Sequence, residues 1–337
     1  MLLKFRKRKT GLDKLMLTLT LFVVLVMFFS GCGKPKVPRV GILAGLDYIY
    51  AVSEGFKEKM TALGYIEGEN IIYDLQRTDF NFEEYERILR KFVADRVDLI
   101  FCYPTEAALM AKEIAGSSQI PVVFSFVNIE GNDLIDSIRE PGGNITGVRY
   151  PGPDVAARRF EIMRELFPQA KRYWIPYQKG APVEFQLEVI YPLAQAAGVE
   201  LIEAPAADAA ELAAVLQAWE ETGDLGFDAI LFLAEPLTVM PDAFAVLKSI
   251  AIKHGIPIGG ALVVDGDYGT VFGANVDPFD SGREGAVLAD KVLKGAKAGA
   301  IPVTSSEIYL QINYKMLQQL GVSASEGLLS QADEIIR

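Results

Sequence analysis

Pro141-Gly142-Gly143-Asn144-Ile145-Thr146-Gly147-Val148 divides the chain into two halves of the same kind. Before it stand Val40–Leu43, Asn70–Tyr73, Asp98–Phe101 and Pro121–Phe124. After it stand Arg172–Ile175, Val199–Ile202, Asp228–Phe232 and Gly255–Ile258. These short β-branched or aromatic runs alternate with amphipathic segments, which predicts parallel sheets covered by helices on both faces. Proline cannot continue a helix and glycine admits positive φ, so Pro141 and the two glycines end whatever precedes them. Ile145–Tyr150 then reads as a strand that leaves the first sheet for the second. The expected fold class is α/β, with two doubly wound parallel-sheet lobes joined by a hinge.

Working outward, Val52, Phe56, Met60 and Leu63 mark one face of a helix, and Tyr85, Leu89, Phe92 and Val93 another. Leu134–Ile138 fits a short helix. Val155, Ile162, Met163 and Leu166 form the first stripe of the second half. Thr270–Val276 reads as a return crossing, Asp280–Lys294 as a helix packing back on the first lobe, and Glu307–Ile312 as a third crossing. Three crossings describe a jaw that opens about a hinge. The expected division is 39–148 with 277–305 for lobe 1, and 149–276 with 306–337 for lobe 2.

The first 32 residues belong to neither lobe. Lys4, Arg6, Lys7, Arg8, Lys9 and Lys14 precede an apolar run from Leu15 to Phe29, too short for a comfortable membrane span. The run ends in Phe29-Ser30-Gly31-Cys32, which resembles a bacterial lipobox. That implies a signal peptide over 1–32, acylation (palmitate included) at Cys32, and a tether over 33–38; the alternative is an uncleaved N-terminal anchor. With Cys32 acylated, Cys102 has no disulfide partner and reads as a buried, inert residue.

Of 337 residues, 33 are basic and 44 acidic; without residues 1–32 the counts are 27 and 43, a net charge of −16. Such a surface repels nucleic acid, so nucleic-acid binding is excluded. Enzyme readings also find no support. The one histidine, His254, sits in a helix-end Lys-His-Gly, and there is no Gly-x-Ser-x-Gly elbow or P-loop. Asp265-Gly-Asp267 lacks the later ligands of a calcium loop and reads as a turn. No metal and no cofactor is expected.

Ligands of open α/β sheets bind outside the carboxyl ends of the strands. That rule selects the loops Leu46–Tyr48, with Asp47 at its centre, Tyr103–Glu106, Ser125–Asn128, Tyr177–Gly180, Ala234–Leu237 and Gly259–Leu262. Thr105 opens a helix, where a hydroxyl and free N–H groups hold a carboxylate or, equally, the hydroxyl only caps the helix. Ser125 and Asn128 follow a strand and read either as ligand donors or as ordinary turn residues.

Several runs resemble one family: Phe56–Met60 with Leu63–Asn70, Val93–Ile100, Ile120–Phe124, Pro141–Val148, Ser281-Gly-Arg283 and Leu320-Gly-Val322. They resemble the ABC-transporter substrate-binding lipoproteins related to the tryptophan- and tyrosine-binding components, over roughly 38–322. The resemblance implies the type I periplasmic-binding-protein fold, a small-molecule ligand in the cleft, and delivery to an ABC permease. It further implies a monomer in the cell envelope, lipid-anchored and facing the periplasm or exterior. The alternative is a sensory binding lipoprotein partnering a membrane receptor or kinase.

Thr105 matches a threonine of the family's ligand loop. In the second lobe, Tyr177-Gln-Lys179, Ala234-Glu235 and Ala261-Leu262 replace more polar family loops. Tyr177, Glu235 and Ala261 are the second-lobe candidates. This wall implies a ligand with an apolar body, and Thr105 with Ser125 and Asn128 implies one anionic group on it, as in an aromatic or apolar amino acid or similar acid; Glu235 either supplies a charge or stands in solvent. Trp174, beside the Pro176-Tyr177 loop, is expected to respond to closure.

Overall fold

The computed structural model describes residues 36–337. The signal peptide, Cys32 and the start of the tether lie outside the described residues. In chain order the first half runs β1 (Arg39–Ala44), α1 (Ala51–Ala62), β2 (Ile72–Arg77), α2 (Phe82–Ala94), β3 (Leu99–Tyr103), α3 (Thr105–Gly116), β4 (Val122–Val127) and β5 (Ile145–Arg149). The second half begins with α4 (Gly152–Leu166), β6 (Arg172–Gln178), α5 (Glu184–Ala197), β7 (Glu200–Ala206), α6 (Ala209–Thr222), β8 (Ala229–Leu231), α7 (Pro241–His254) and β9 (Ile258–Gly259). It continues through the hairpin β10 (Val264–Asp265) and β11 (Tyr268–Gly269) to β12 (Phe272–Val276) and α8 (Pro278–Leu293). The chain closes with β13 (Thr304–Ser305), β14 (Ile308–Asn313), α9 (Tyr314–Gln319), α10 (Glu326–Gln331) and β15 (Glu334–Ile336).

The first sheet has six parallel strands in the order β13-β5-β4-β3-β1-β2. Its inner strands β1, β3 and β4 are almost wholly buried, as strands covered on both faces must be. The second lobe holds the parallel sheet β7-β6-β8-β9. A bridge between Gly260 and Gly273 links its edge to β12, which pairs antiparallel with β14, itself parallel to β15. The α/β class and the two doubly wound sheets are those expected from the repeated pattern.

Two local expectations are corrected. Ile145–Arg149 does not leave the first sheet: it is an interior strand there, between β4 and β13, and the chain departs only after Tyr150. Its first four residues are buried, which suits an interior strand better than an exposed connector. Leu134–Ile138 forms no helix. Asn132 Oδ1 accepts from Leu134 N at 3.1 Å and Ser137 Oγ from Glu140 N at 3.0 Å, so local side chains take the bonds a helix would need.

Helix α8 is capped by Asp277, whose Oδ1 accepts from Phe279 N at 2.7 Å, and Pro278 stands at its first turn. It returns to pack against α1. A Cβ on Gly55 would overlap the carbonyl oxygen of Phe279, and one on Gly282 would overlap that of Val52, so the two helices meet backbone to backbone.

Candidate functional site

In the first sheet the order reverses between β1 and β3, and in the second between β6 and β8. Both reversals open a crevice at the carboxyl ends of the strands. Residues 45–50 and 103–106 border the first crevice, and residues 178–180 and 232–237 the second. The candidate site is built from these two edges, joined beside Tyr150 and Asn275.

On the first edge, Arg77 Nε donates to Asp47 Oδ1 at 2.5 Å, and Asp47 N donates to Asp79 Oδ1 at 3.2 Å. The Asp47 carboxylate is therefore already paired, at an exposed position. Tyr48 beside it is 78% exposed. Thr105 is the first residue of α3, and its Oγ1 accepts from Asn128 N at 3.0 Å. The hydroxyl thus ties the end of β4 to the start of α3. Asn128 Oδ1 is buried without a partner, close to Gly152 at the start of α4. Ser125 is turned inward: its Oγ lies 2.8 Å from the carbonyl oxygen of Ser281 and 2.9 Å from the Ser281 hydroxyl, locking β4 to α8.

The second edge differs more from its sequence reading. Tyr177 is the penultimate residue of β6, and its hydroxyl donates to Glu203 Oε2 at 2.8 Å, beside Tyr191 of α5. Burial and the Glu203 carboxylate push its phenol up to about 12. Glu235 is neither a free charge nor a solvated acid. Its Oε2 accepts from Gln178 N at 2.8 Å and Leu237 N at 2.9 Å, and its Oε1 from Thr238 N at 2.8 Å and Thr238 Oγ1 at 2.6 Å. That carboxylate fastens the end of β6 to the turn after β8. Ala261 is buried, and its carbonyl accepts from Thr270 Oγ1 at 2.8 Å. Trp174 is also corrected: it is fully buried, stacked on Phe227 at 5.1 Å and edge-on to Trp219, inside the lobe core rather than at its rim.

The sequence reading missed three residues that organise the second edge. Gln186 of α5 brackets Ala234, donating from Nε2 to Ala234 O at 3.1 Å and accepting from Ala234 N at 2.9 Å. Tyr150 is buried between the lobes' edges and donates to Asn275 Oδ1 at 2.8 Å. Arg159 of α4 is 1% exposed; its Nε donates to Ala274 O at 2.8 Å and its Nη1 to Phe232 O at 3.1 Å. The signal for Arg159 was present in the chain. It stands four residues from both Val155 and Met163, on the apolar stripe of α4, where a charge needs a reason.

A cavity of about 540 Å³ also opens beside the crossings, lined by Lys59, Asp280, Arg283, Glu284, Glu307 and Asp333 among others. Burial first, then Glu307 and Asp280, push the Glu284 carboxyl up to about 7. The cavity lies where β12 runs into α8 and β13 into β14, apart from the two switch points, and its acidic wall is ill suited to an anion.

Residues 40–336 match the family described as ABC transporter substrate binding protein. A tyrosine-binding protein of Clostridioides difficile is 25% identical over 292 residues, covering 85% of this chain and 81% of that protein. An ABC domain from Streptococcus pneumonia in complex with L-Trp superposes with a TM-score of 0.72 at 22% identity, over 89% of this chain and 99% of that one. The ligand-free, open structure of a substrate binding protein with adhesive properties from Clostridium difficile gives 0.72 at 21%, with the same coverage. Proteins of this family bind a substrate outside the cytoplasm and are not enzymes. Through a family match that spans nearly all the described residues, this chain belongs to the ABC transporter substrate-binding proteins.

Proposed function

We propose that the chain is the solute-binding lipoprotein of an ABC importer. It captures a small organic ligand, an aromatic or apolar amino acid or a similar acid, between the two crevices and presents it to a membrane permease. The observation that carries this reading is the pairing of two switch points, one per sheet, on either side of the Tyr150–Asn275 contact. The moving bodies are 39–150 with 277–305 and 151–276 with 306–337, the first boundary following Tyr150 because Arg149 still pairs in the first sheet. Thr105 and Asn128 stand on the ligand's side of the first body. The relatives that bind tyrosine and L-Trp support an amino acid as the ligand class. Thermal-shift screening of amino acids, aromatic acids and branched-chain keto acids tests the reading. A stabilising hit from these classes is expected, and a hit list of sugars or metal ions alone contradicts it.

Anchoring is the second part of the proposal. The basic start, the apolar run and Ser30-Gly31-Cys32 support acylation of Cys32 by a signal peptidase that cleaves before cysteine. Cys32→Ser should leave an unlipidated precursor; unchanged lipid labelling and membrane fractionation in that variant would refute the anchor. Gly33 rather than Asp follows the cysteine, which supports outer-membrane sorting in a two-membrane cell.

A further inference from the structure

Arg159 poses an energetic problem. A guanidinium taken out of water is costly unless it is paired with an anion or has every donor satisfied. Among the described residues no carboxylate lies within ion-pair distance of Arg159, and the nearest acid acting on its charge, Glu235, has both oxygens committed to four other donors. Burial lowers the Arg159 pKa from its ordinary value, as expected of a cation with too little compensation.

The way Arg159 is held shows what its charge is for. Strand β9 peels away from its neighbours at Gly260, where φ is +125° and a Cβ would collide with Phe232 O. Beyond that point the carbonyls of Phe232 and Ala274 lose a strand partner, and Nη1 and Nε of Arg159 take its place. Phe232 directly follows the last residue of β8, while Ala274 is the central residue of β12, so the guanidinium bridges the carboxyl end of β8 to the middle of β12. A helical side chain leans toward the helix N-terminus, and for α4 that direction leads from the lobe's interior toward Tyr150 and the cleft. Two nitrogens are thereby fixed. Among the described residues the third, Nη2, has no hydrogen-bond partner, and the 1% exposure left to the residue is the route by which a ligand reaches it. The phenols of Tyr150 and of Tyr48, which comes from the opposite edge, are near enough to act on its charge.

We propose that Arg159 is the anion anchor of the cleft, with Nη2 donating to the carboxylate of a monocarboxylic ligand. The inference rests on the solute-binding reading above and moves the anion from the start of α3 to the floor of the second lobe. Thr105 is then a positioning residue, its hydroxyl already engaged by Asn128 N. A guanidinium held in plane by two carbonyls presents its remaining N–H groups in one fixed direction, which a flexible ammonium would not. It also places one positive site inside a chain whose exported part carries −16, so a single carboxylate is accommodated where a polyanion would be repelled.

The test is calorimetric titration of the full chain in detergent with L-tyrosine, L-tryptophan, L-leucine and 4-hydroxyphenylacetate, set against the carboxyl-free tyramine and tryptamine. The unaltered chain, Arg159→Gln and Arg159→Lys are compared, with circular dichroism as the check on folding. A carboxylate that binds the unaltered chain should bind Arg159→Gln about 10- to 100-fold more weakly, the range expected for a hydrogen bond to a charged group. Its carboxyl-free counterpart should be equally weak and should lose nothing further in the variant. A counterpart that binds as tightly as the acid, or a folded Arg159→Gln that keeps full affinity, overturns the anchor while leaving cleft binding intact. If neither acids nor amines bind the unaltered chain, the amino-acid reading of the cleft fails and the anchor with it. Should the glutamine variant not fold, acid against amine on the unaltered chain decides the matter, with Arg159→Lys as the second comparison.

Discussion

Tyr150 donates its hydroxyl to Asn275 Oδ1 at 2.8 Å, linking the residue after which the chain leaves the first sheet to the strand that leads into the return crossing. Tyr150 also packs against Phe126 with ring centroids 5.1 Å apart, so its ring belongs to the first lobe while its hydroxyl reaches the second. Three segments of chain passing between lobes would otherwise be free to splay, and this bond couples two of them. Tyr150→Phe keeps the ring and removes the bond, leaving Asn275 Oδ1 with only its own neighbour's N–H. The expected loss in unfolding free energy is about 1 kcal/mol, read by urea denaturation. Asn275→Ala added to Tyr150→Phe should cost little more than either change alone; full additivity would mean the two residues do not interact.

Thr105→Val removes the acceptor of Asn128 N and leaves that N–H unpaired at the junction of β4 and α3. A loss of about 1–3 kcal/mol is expected, with most of it restored by Thr105→Ser. Thermal unfolding of both variants checks this. A valine variant as stable as the parent would show that the hydroxyl does not hold the junction.

Glu284 makes stability depend on pH. In the folded chain its carboxyl titrates near 7 rather than at its ordinary 4.5, because burial and the neighbouring Glu307 and Asp280 disfavour its charge, with only the Thr304 hydrogen bond opposing them. The folded state therefore binds the proton more tightly than the unfolded state. The contribution is fully present below about 4.5 and is lost as pH rises through about 7. Lys59, Arg283 and Asp333 line the same cavity. Glu284→Gln should match the parent near pH 4 and exceed it at pH 8 by on the order of 1 kcal/mol, after allowance for screening. Equal pH slopes for the two chains would contradict the assignment.

The fold was legible because its signals are local and repeated. Runs such as Leu99–Tyr103 and Val122–Val127 are buried on both faces, and such strands appear in the sequence as unbroken apolar stretches. Ile145–Arg149 was misassigned because a run of apolar and small residues reveals burial but not which sheet does the burying. The candidate site was legible only as a set of loops. The rule of strand ends located residues 103–106 and 234–237, yet whether a polar side chain faces a ligand or its own backbone depends on partners far away in the chain. Ser125 bonds to Ser281, 156 residues on, and nothing near Ser125 announces it. Glu235 looked free because three of its four donors are backbone N–H groups, which every residue but proline carries. Arg159 was visible as a charge inside an apolar stripe, and it passed unnoticed because the stripe itself was read as packing alone.

Small-angle X-ray scattering of the full chain, with and without the ligand found by screening, tests the central claim most directly. A ligand held between two hinged lobes draws them together, so the radius of gyration should fall on saturation, and the fall should need about 10- to 100-fold more ligand in Arg159→Gln. Stoichiometric binding with no change in the radius of gyration of the unaltered chain would contradict a ligand captured between the lobes.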